Sequence, residues 1–357
     1  MNTPGKKVLV VDDSALMRKL LTGVLVEAGY DVRSARNGAE GVEMVAQWQP
    51  DVVTLDINMP EMDGLTALSL IMAARPTPVV MVSSLTEKGA LATFEALALG
   101  AVDFISKPGG TISLHVEDIK ALLLDKVRSA SRARVSGRRT AEARPAQKLA
   151  ARPAPRDDVA PVRTGPSLPG LVLIGVSTGG PRTLEDILPR LPADFPWPIL
   201  VAQHMPANFT DTFARRMDNL CALKVVEVAS PMALAPGHVY IGRGGTDVTV
   251  TDRLGVLYAA PRPEAAAVLW HPSVELMVDS AMKHLPPQRL VGVMLTGMGN
   301  DGAAAMARLH ACGGRTIAES EQTAVVFGMP HELIERRGAT LVLPCHTISA
   351  QLRSWLA

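Results

Sequence analysis

The segment Leu171–Thr183 constrains the fold most, because it joins a short apolar strand to a helix through a glycine-rich turn. Its first five residues are almost all apolar, as in a buried strand, and Pro181 favours the first turn of a helix. Ser177 lies in the turn, at the carboxyl end of the strand, where open α/β sheets place their reactive groups. The spacing Gly175-x-Ser177-x-Gly179 fits a nucleophile elbow. Alternatively, Ser177 is a helix N-cap and the glycines only make a tight turn.

Length and composition limit the classes of protein. A chain of 357 residues, 47% of them hydrophobic, is expected to form two or three domains. A net charge of +1 selects neither nucleic acid nor a membrane surface, and no apolar run approaches the ~18 residues of a membrane span. The three cysteines have neither zinc-site spacing nor a disulfide framework. We therefore expect a cytoplasmic protein without nucleic-acid binding or membrane insertion.

Residues 1–125 alternate strands and helices five times, which predicts a parallel sheet covered on both faces. Five polar residues directly follow strands: Asp12, Asp13, Asp56, Ser83 and Lys107. Clustered carboxylates at one sheet edge require a cation, and Mg²⁺ suits them. Lys107 could then neutralise a transferred phosphoryl group, and Ser83 could donate a hydrogen bond to it. Taken singly, the two N-terminal aspartates could be helix caps, and Lys107 a solvated loop charge.

Residues 126–165 lose this periodicity. Arginine, alanine and proline dominate, and basic residues far outnumber acidic ones. The segment offers too little apolar surface to offset the entropy lost on ordering, so it is predicted to be a flexible linker. A basic arm that binds nucleic acid is disfavoured, because no aromatic residues are interleaved for base stacking.

Residues 166–357 are predicted to form a doubly wound, mainly parallel α/β domain with an antiparallel β insertion. The insertion is expected to consist of four short, turn-separated strands. These are Lys224–Val228, His238–Ile241, Asp247–Thr251 and Leu254–Ala259.

Three residues of this domain each follow an apolar strand: Ser177, His204 and Asp301. A hydroxyl, an imidazole and a carboxylate are what acyl transfer needs, so we expect a nucleophile, its base and the group that orients the base. The backbone N–H groups of Thr178 and Met298 are candidate oxyanion donors. Alternatively, His204 is an ordinary core or surface histidine, and Asp301 only caps the following helix.

The first domain resembles the receiver domains of bacterial response regulators. The resemblance rests on VLVVDDS, TLDINMPEMDGL, VMVSS and DFISKP. It implies a flavodoxin-like fold with Asp56 as the phosphoacceptor. It also implies that Asp12, Asp13, Asp56 and the Asn58 carbonyl surround Mg²⁺.

Nearly the whole chain resembles the chemotaxis protein-glutamate methylesterases. The motifs GVSTGGP, ILVAQHMP, TGMGNDGA and VVFGMPHEL carry this resemblance. It implies a Ser177–His204–Asp301 triad that needs no cofactor for ester hydrolysis. The implied reactions are hydrolysis of glutamate methyl esters on chemoreceptor signalling helices, with methanol release, and deamidation of certain receptor glutamines. The implied phosphodonor is the chemotaxis histidine kinase. Gly242-Arg243 replaces the family's usual Ala-Pro, which leaves the choice of receptor open.

A receiver joined to an enzyme suggests gating, in which the unphosphorylated receiver packs over the Ser177 edge and phosphorylation of Asp56 weakens that packing.

Two other classes of protein are alternatives to the enzyme. A receiver-coupled transcriptional regulator predicts a basic output domain with a helix-turn-helix. A non-catalytic α/β module would hold a phosphate on its glycine-rich turns.

Overall fold

The computed structural model describes residues 5–84, 86–107, 116–135 and 168–356. Residues 136–165 of the predicted linker lie outside the described residues. The chain forms two α/β domains, each built on a parallel sheet. This confirms the fold class predicted above.

The first domain has a five-stranded parallel sheet in the order β2-β1-β3-β4-β5. Its strands are β1 (Lys7–Val11), β2 (Asp31–Ala35), β3 (Val52–Asp56), β4 (Val79–Ser83) and β5 (Asp103–Ser106). Its helices are α1 (Ala15–Glu27), α2 (Gly38–Trp48), α3 (Gly64–Ala74), α4 (Glu87–Leu99) and α5 (Val116–Ala130).

Local sequence explains why these helices begin where they do. Four N-cap residues begin these helices: Ser14, Asn37, Asp63 and Thr86. Each cap side chain accepts a hydrogen bond from the backbone N–H of the residue three positions later in the chain. The cap of α1 is therefore Ser14 and neither Asp12 nor Asp13. Strands β3 and β4 are buried along their whole length, as expected for parallel strands with helices on both faces.

The second domain has a seven-stranded parallel sheet in the order β15-β14-β13-β6-β7-β10-β8. Its strands are β6 (Leu171–Val176), β7 (Ile199–Gln203), β8 (Lys224–Val228), β10 (His238–Gly242), β13 (Leu290–Met294), β14 (Arg315–Glu319) and β15 (Leu341–Leu343). Its helices are α6 (Gly180–Ile187), α7 (Ala207–Leu220), α8 (Val274–Met282), α9 (Ala303–Ala311), α10 (Met329–Glu335) and α11 (Cys345–Leu356).

The antiparallel part is smaller than predicted. It contains β9 (Met232–Ala233), β11 (Asp247–Arg253) and β12 (Val256–Arg262), in the order β11-β12-β9. The prediction was wrong for 224–228 and 238–241, which pair with each other in parallel, and the second of these strands also pairs in parallel with β7. Short, valine-rich strands look alike in either direction, because a local pattern reports burial and β-propensity but not the pairing partner.

Helix α5 runs past the predicted domain boundary at residue 125 and ends at Ala130. The residues after it lie against the second domain. The Arg134 N–H donates to the Val325 carbonyl at 3.2 Å, and the Arg134 guanidinium pairs with the Glu321 carboxylate at 2.5 Å.

Aromatic rings join the two domains. Phe104 on β5 lies 4.4 Å, centroid to centroid, from Phe209 on α7, and Phe94 on α4 lies 5.5 Å from Phe213. Four of the chain's six phenylalanines therefore lie in one interdomain cluster. Because Phe94, Phe209 and Phe213 are almost fully buried, this contact is a buried apolar interface.

Among the described residues, no helix is both long and apolar enough to cross a bilayer.

Candidate active site and receiver site

The candidate active site lies where β6 and β7 end side by side. Val176 pairs with Gln203 in the last register position of the two strands, and Ser177 and His204 are the next residues along each. The His204 N–H donates to the Val176 carbonyl at 3.1 Å, which extends this pairing by one bond. The site is thus at the carboxyl edge of the sheet, beside the point where strand order reverses around β6.

The Ser177 turn is fixed by backbone hydrogen bonds. The Ser177 N–H donates to the Thr296 carbonyl at 2.9 Å, and the Ser177 carbonyl accepts the Gly180 N–H at 2.8 Å. The N-cap of α6 is Gly179, at φ +80°, and no side chain caps the helix. Ser177 is therefore not the helix cap that its sequence also allowed, and its side chain is available for other chemistry.

Gln203 is a site residue that the sequence analysis missed. Its side-chain Nε2 donates to the carbonyls of Ser177 at 3.0 Å and His204 at 3.1 Å, so one buried amide ties the two turns together. A Cβ on Gly180 would lie 2.0 Å from Gln203 Oε1, which explains the glycine there. The available signal was a polar residue ending the otherwise apolar strand ILVAQ.

His204 and Asp301 form a close pair. His204 Nε2 lies 2.9 Å from Asp301 Oδ2. The Asp301 carboxylate also accepts the Ser273 hydroxyl at 3.0 Å, the Val274 N–H at 2.6 Å and the Glu275 N–H at 3.1 Å. The Val274 and Glu275 N–H groups belong to the first turn of α8, where backbone N–H groups without a partner inside the helix stabilise an anion. Asp301 therefore lies at the start of α8, whereas α9 has Gly302 as its cap.

The protonation state of Asp301 follows from these contacts. Burial acts to raise the pKa of its carboxyl, but the hydrogen bond to His204 and the two α8 N–H groups outweigh burial, and the pKa is lowered. Asp301 is thus a carboxylate that can hold the His204 imidazole in one tautomer, with its proton on Nε2.

Ser177 and His204 are neighbours but are not hydrogen-bonded in this structure. Within the described part of the chain, His204 Nδ1 is buried and has no partner, and the Ser177 hydroxyl makes no hydrogen bond. Nδ1 is therefore the ring nitrogen left to accept a proton. Hydrogen bonds between a nucleophile and its general base are often long or poorly aligned until a substrate binds.

Both candidate oxyanion donors border Ser177. Thr178 is the next residue in the turn, and Met298 follows Gly297, whose added Cβ would lie 2.7 Å from Ser177 Cβ. In the described residues, neither the Thr178 nor the Met298 N–H has a hydrogen-bond acceptor. Backbone N–H groups without an acceptor near a nucleophilic hydroxyl are candidates for binding an oxyanion.

A buried carboxyl supports the turn from behind. Thr296 donates its hydroxyl to the Thr178 carbonyl at 2.9 Å, and its N–H to Glu319 Oε2 at 2.8 Å. Burial raises the pKa of Glu319 to about 7, against the opposing effect of hydrogen bonds from Thr323 and Thr296. Glu319 was not predicted, because a glutamate ending a strand is unremarkable without its partners.

A carboxylate of the first domain contacts the turn that carries Ser177. The Thr178 hydroxyl donates to Asp103 Oδ2 at 2.5 Å, and the same oxygen pairs with Lys126 Nζ at 2.7 Å. Both carboxylate and hydroxyl are buried. The first domain therefore covers the turn that carries Ser177.

The acidic residues predicted in the first domain do come together. Ligand oxygens of Asp12, Asp13 and Asp56 lie within 4.8 Å of one another. Lys107 Nζ lies 2.8 Å from Asp56 and 3.1 Å from Asp12, so it is a paired cation and not a solvated loop charge. Burial raises the pKa of the Asp56 carboxyl, although Lys107 acts in the opposite direction.

Two further predicted residues border this cluster. The Ser83 hydroxyl is buried and donates to the Gly89 carbonyl at 3.1 Å, so it would have to rotate to reach a phosphoryl group on Asp56. Asn58 lies two residues after Asp56, and its side chain is exposed. Its backbone N–H donates a hydrogen bond to the Asp56 carboxylate.

Known proteins resemble both parts of the chain. Residues 172–352 match the CheB methylesterase family model, and residues 8–117 match the response regulator receiver domain model. A protein-glutamate methylesterase/protein-glutamine glutaminase of Rhodospirillum rubrum is 55% identical over 98% of this chain and 96% of its own length. Another from Rhodopseudomonas palustris is 54% identical over 98% of both chains. The crystal structure of the Thermotoga maritima CheB methylesterase catalytic domain is 38% identical, with a TM-score of 0.50, over 52% of this chain and 97% of that chain.

Proposed function

This chain belongs to the CheB methylesterase family, and we propose that it hydrolyses glutamate methyl esters on chemotaxis receptors and deamidates certain receptor glutamines. The observation that carries the proposal is the His204–Asp301 pair, 2.9 Å apart, next to Ser177 at the ends of two paired strands. We further propose that the enzyme acts in the cytoplasm, with the chemotaxis histidine kinase as its phosphodonor.

The proposed reaction uses the three side chains in turn. Ser177 Oγ attacks the ester carbonyl while His204 Nδ1 takes its proton, and Asp301 stabilises the imidazolium. The Thr178 and Met298 N–H groups bind the developing oxyanion. The imidazolium protonates the leaving methoxide, which departs as methanol and leaves a glutamyl ester on Ser177. Water, deprotonated by His204, then releases glutamate and restores the Ser177 hydroxyl. For a glutamine substrate the leaving group is ammonia.

We propose that the receiver inhibits this site until Asp56 is phosphorylated. Support comes from Asp103 and Phe104 on β5, which contact Thr178 and Phe209 respectively. Lys107 directly follows β5 and pairs with Asp56. A phosphoryl group on Asp56 would compete for Lys107 and for the Ser83 hydroxyl, and so would pull on the end of the strand that contacts the catalytic domain.

The acidic cluster fits the Mg²⁺ that receiver domains use. Asp12, Asp13 and Asp56 present oxygen ligands within 4.8 Å of one another, which is the hard, anionic donor set that Mg²⁺ prefers. We propose that these carboxylates and the Asn58 carbonyl hold it. Bound Mg²⁺ would neutralise phosphoryl oxygens, while Lys107 supplies a fixed positive charge on the same group.

Methanol release from methylated receptor membranes tests the activity. We expect Ser177→Ala to lower the rate by several orders of magnitude without changing the thermal unfolding midpoint. Ser230→Ala is the matched control, because Ser230 is an exposed serine of the same domain. Turnover close to wild type in Ser177→Ala would refute the assignment of the nucleophile.

The alternative classes lack comparable support. A transcriptional regulator would need a helix-turn-helix output domain, whereas the described second domain is built on a seven-stranded parallel sheet. A non-catalytic phosphate-binding module gives no reason for an imidazole beside Ser177 that is hydrogen-bonded to a buried carboxylate. Covalent labelling of Ser177 by a phosphonylating probe would separate an enzyme from such a module.

A further inference from the structure

We propose that Trp270 is a positioning residue for His204, holding the imidazole in the plane from which Nδ1 takes the Ser177 proton. This inference rests on the proposed serine-hydrolase function of the same site. It assigns a role to a side chain in the loop between β12 and α8, outside the Ser177, His204 and Asp301 segments.

The two rings are stacked. The centroids of His204 and Trp270 lie 5.9 Å apart, and their planes differ by only 7°. The hydrogen bond from Nε2 to Asp301 fixes one atom of the imidazole but leaves the ring free to tilt about that atom. A parallel indole face opposes this tilt, because aromatic rings lose contact when their planes diverge.

The loop that carries Trp270 is held on both sides. The Asp247 carboxylate, almost fully buried, accepts the Ala265 N–H at 3.0 Å, the Ser273 N–H at 2.9 Å and a bond from His271 Nδ1 at 3.0 Å. The indole is therefore presented by an anchored segment and not by a free loop end.

The same loop contacts both members of the catalytic pair. Trp270 stacks in parallel beside the ring of His204, and Ser273 donates its hydroxyl to Asp301 at 3.0 Å. The indole also contacts the backbone before Asp301, since a Cβ on Gly299 would lie 2.9 Å from Trp270 Cζ2. The loop thus sets the geometry of the imidazole and the carboxylate together.

Stacking would contribute most at the transition state. When His204 takes the Ser177 proton it becomes an imidazolium, and the face of an indole attracts a cation more strongly than a neutral ring. An interaction that strengthens as the reaction proceeds raises kcat, whereas uniform substrate binding changes KM alone. A positioning role therefore predicts a loss in kcat.

The test compares three variants of the full-length protein, assayed for kcat and KM of methanol release. Trp270→Leu keeps apolar bulk but removes the aromatic face, and we expect kcat to fall about tenfold with KM within about twofold. Trp270→Phe restores a stacking face and should recover kcat to within about threefold of wild type. Leu269→Ala, at an adjacent residue that is 83% exposed, should match wild type.

Two results would overturn the proposal. One is an unchanged kcat in Trp270→Leu. If only KM changes in that variant, Trp270 is a substrate contact and not a positioning residue. The other is Trp270→Phe no better than Trp270→Leu, which would reduce the role to filling space.

A receptor-free assay separates this proposal from the proposed function. The rate of Ser177 labelling by a small phosphonylating probe should fall about tenfold in Trp270→Leu and recover in Trp270→Phe. If labelling follows this order but receptor methanol release is absent in wild type, the positioning role stands and the receptor substrate fails. If wild type releases methanol and labelling is equal in all variants, the positioning role fails alone.

Discussion

The Thr178 hydroxyl donates a hydrogen bond to the Asp103 carboxylate over 2.5 Å, and this bond joins the two domains one residue away from Ser177. Both partners are buried, and Lys126 neutralises the carboxylate from the receiver side. The proposed regulatory contact and the proposed nucleophile are thus adjacent in the structure, so variants that separate their effects are informative.

Weakening the aromatic interface should raise basal activity. Phe104→Ala removes the ring that lies 4.4 Å from Phe209, and losing a buried phenylalanine ring costs about 3–5 kcal/mol of packing. We expect methanol release by the unphosphorylated enzyme to rise about tenfold, with less further stimulation by a small phosphodonor. Leu91→Ala, at an exposed position on α4, is the control. Unchanged basal activity in Phe104→Ala would argue against steric inhibition.

Removing the charge of Asp301 should disable the base. Asp301→Asn keeps the shape of the side chain but loses the carboxylate that holds His204 in its tautomer, and we expect kcat to fall by about 10³–10⁴. Steady-state methanol release measures this effect. Asp279→Asn tests an exposed carboxylate of α8 that pairs with Arg308 and should change kcat little. A loss below tenfold in Asp301→Asn would exclude the proposed role.

Replacing the phosphoacceptor should abolish stimulation and preserve basal catalysis. Asp56→Asn cannot form an aspartyl phosphate, yet it lies in the other domain from Ser177. We expect equal rates with and without a small phosphodonor and Mg²⁺. Asp51→Asn, at the opposite end of β3, should retain stimulation. A stimulated Asp56→Asn enzyme would show that the phosphoryl group is accepted elsewhere.

The buried Glu319 should make stability depend on pH. Its pKa is raised from 4.5 to about 7, so between these values the folded protein holds a proton that the unfolded chain releases. Stability from this group is therefore full below about pH 4.5, falls as pH rises, and is lost above about pH 7. The loss amounts to about 3 kcal/mol.

Urea unfolding of the wild type and of Glu319→Gln at several pH values measures the pH-dependent contribution of Glu319 to stability. From pH 5 to pH 8, the free energy of unfolding of the wild type should fall relative to that of Glu319→Gln. Glu335→Gln, at an exposed glutamate of α10, should follow the wild type throughout. Parallel pH dependence of wild type and Glu319→Gln would contradict the raised pKa.

Local pattern was sufficient to select the candidate site residues along the chain. Ser177, His204 and Asp56 each stand at or just after the end of an apolar strand, and parallel strands bring their carboxyl ends to one edge. For Ser177 and His204, which follow neighbouring strands of one sheet, position along the sequence therefore implied proximity in space, whereas Asp56 lies at the edge of the other sheet. The same reasoning does not give strand direction, and the pairing of 224–228 with 238–242 was predicted wrongly for that reason.

The amino-acid sequence by itself determined the two α/β domains and the chemical groups at the edges of their sheets, because strand periodicity and strand ends are local properties. Only the tertiary structure decided that Gln203 links the two catalytic turns, that α8 presents its N–H groups to Asp301, and that Trp270 stacks on His204. It alone decided that Asp103 meets Thr178 across the domain interface. Each of these contacts joins side chains or backbone groups whose meeting depends on how whole elements pack, and no local pattern encodes that.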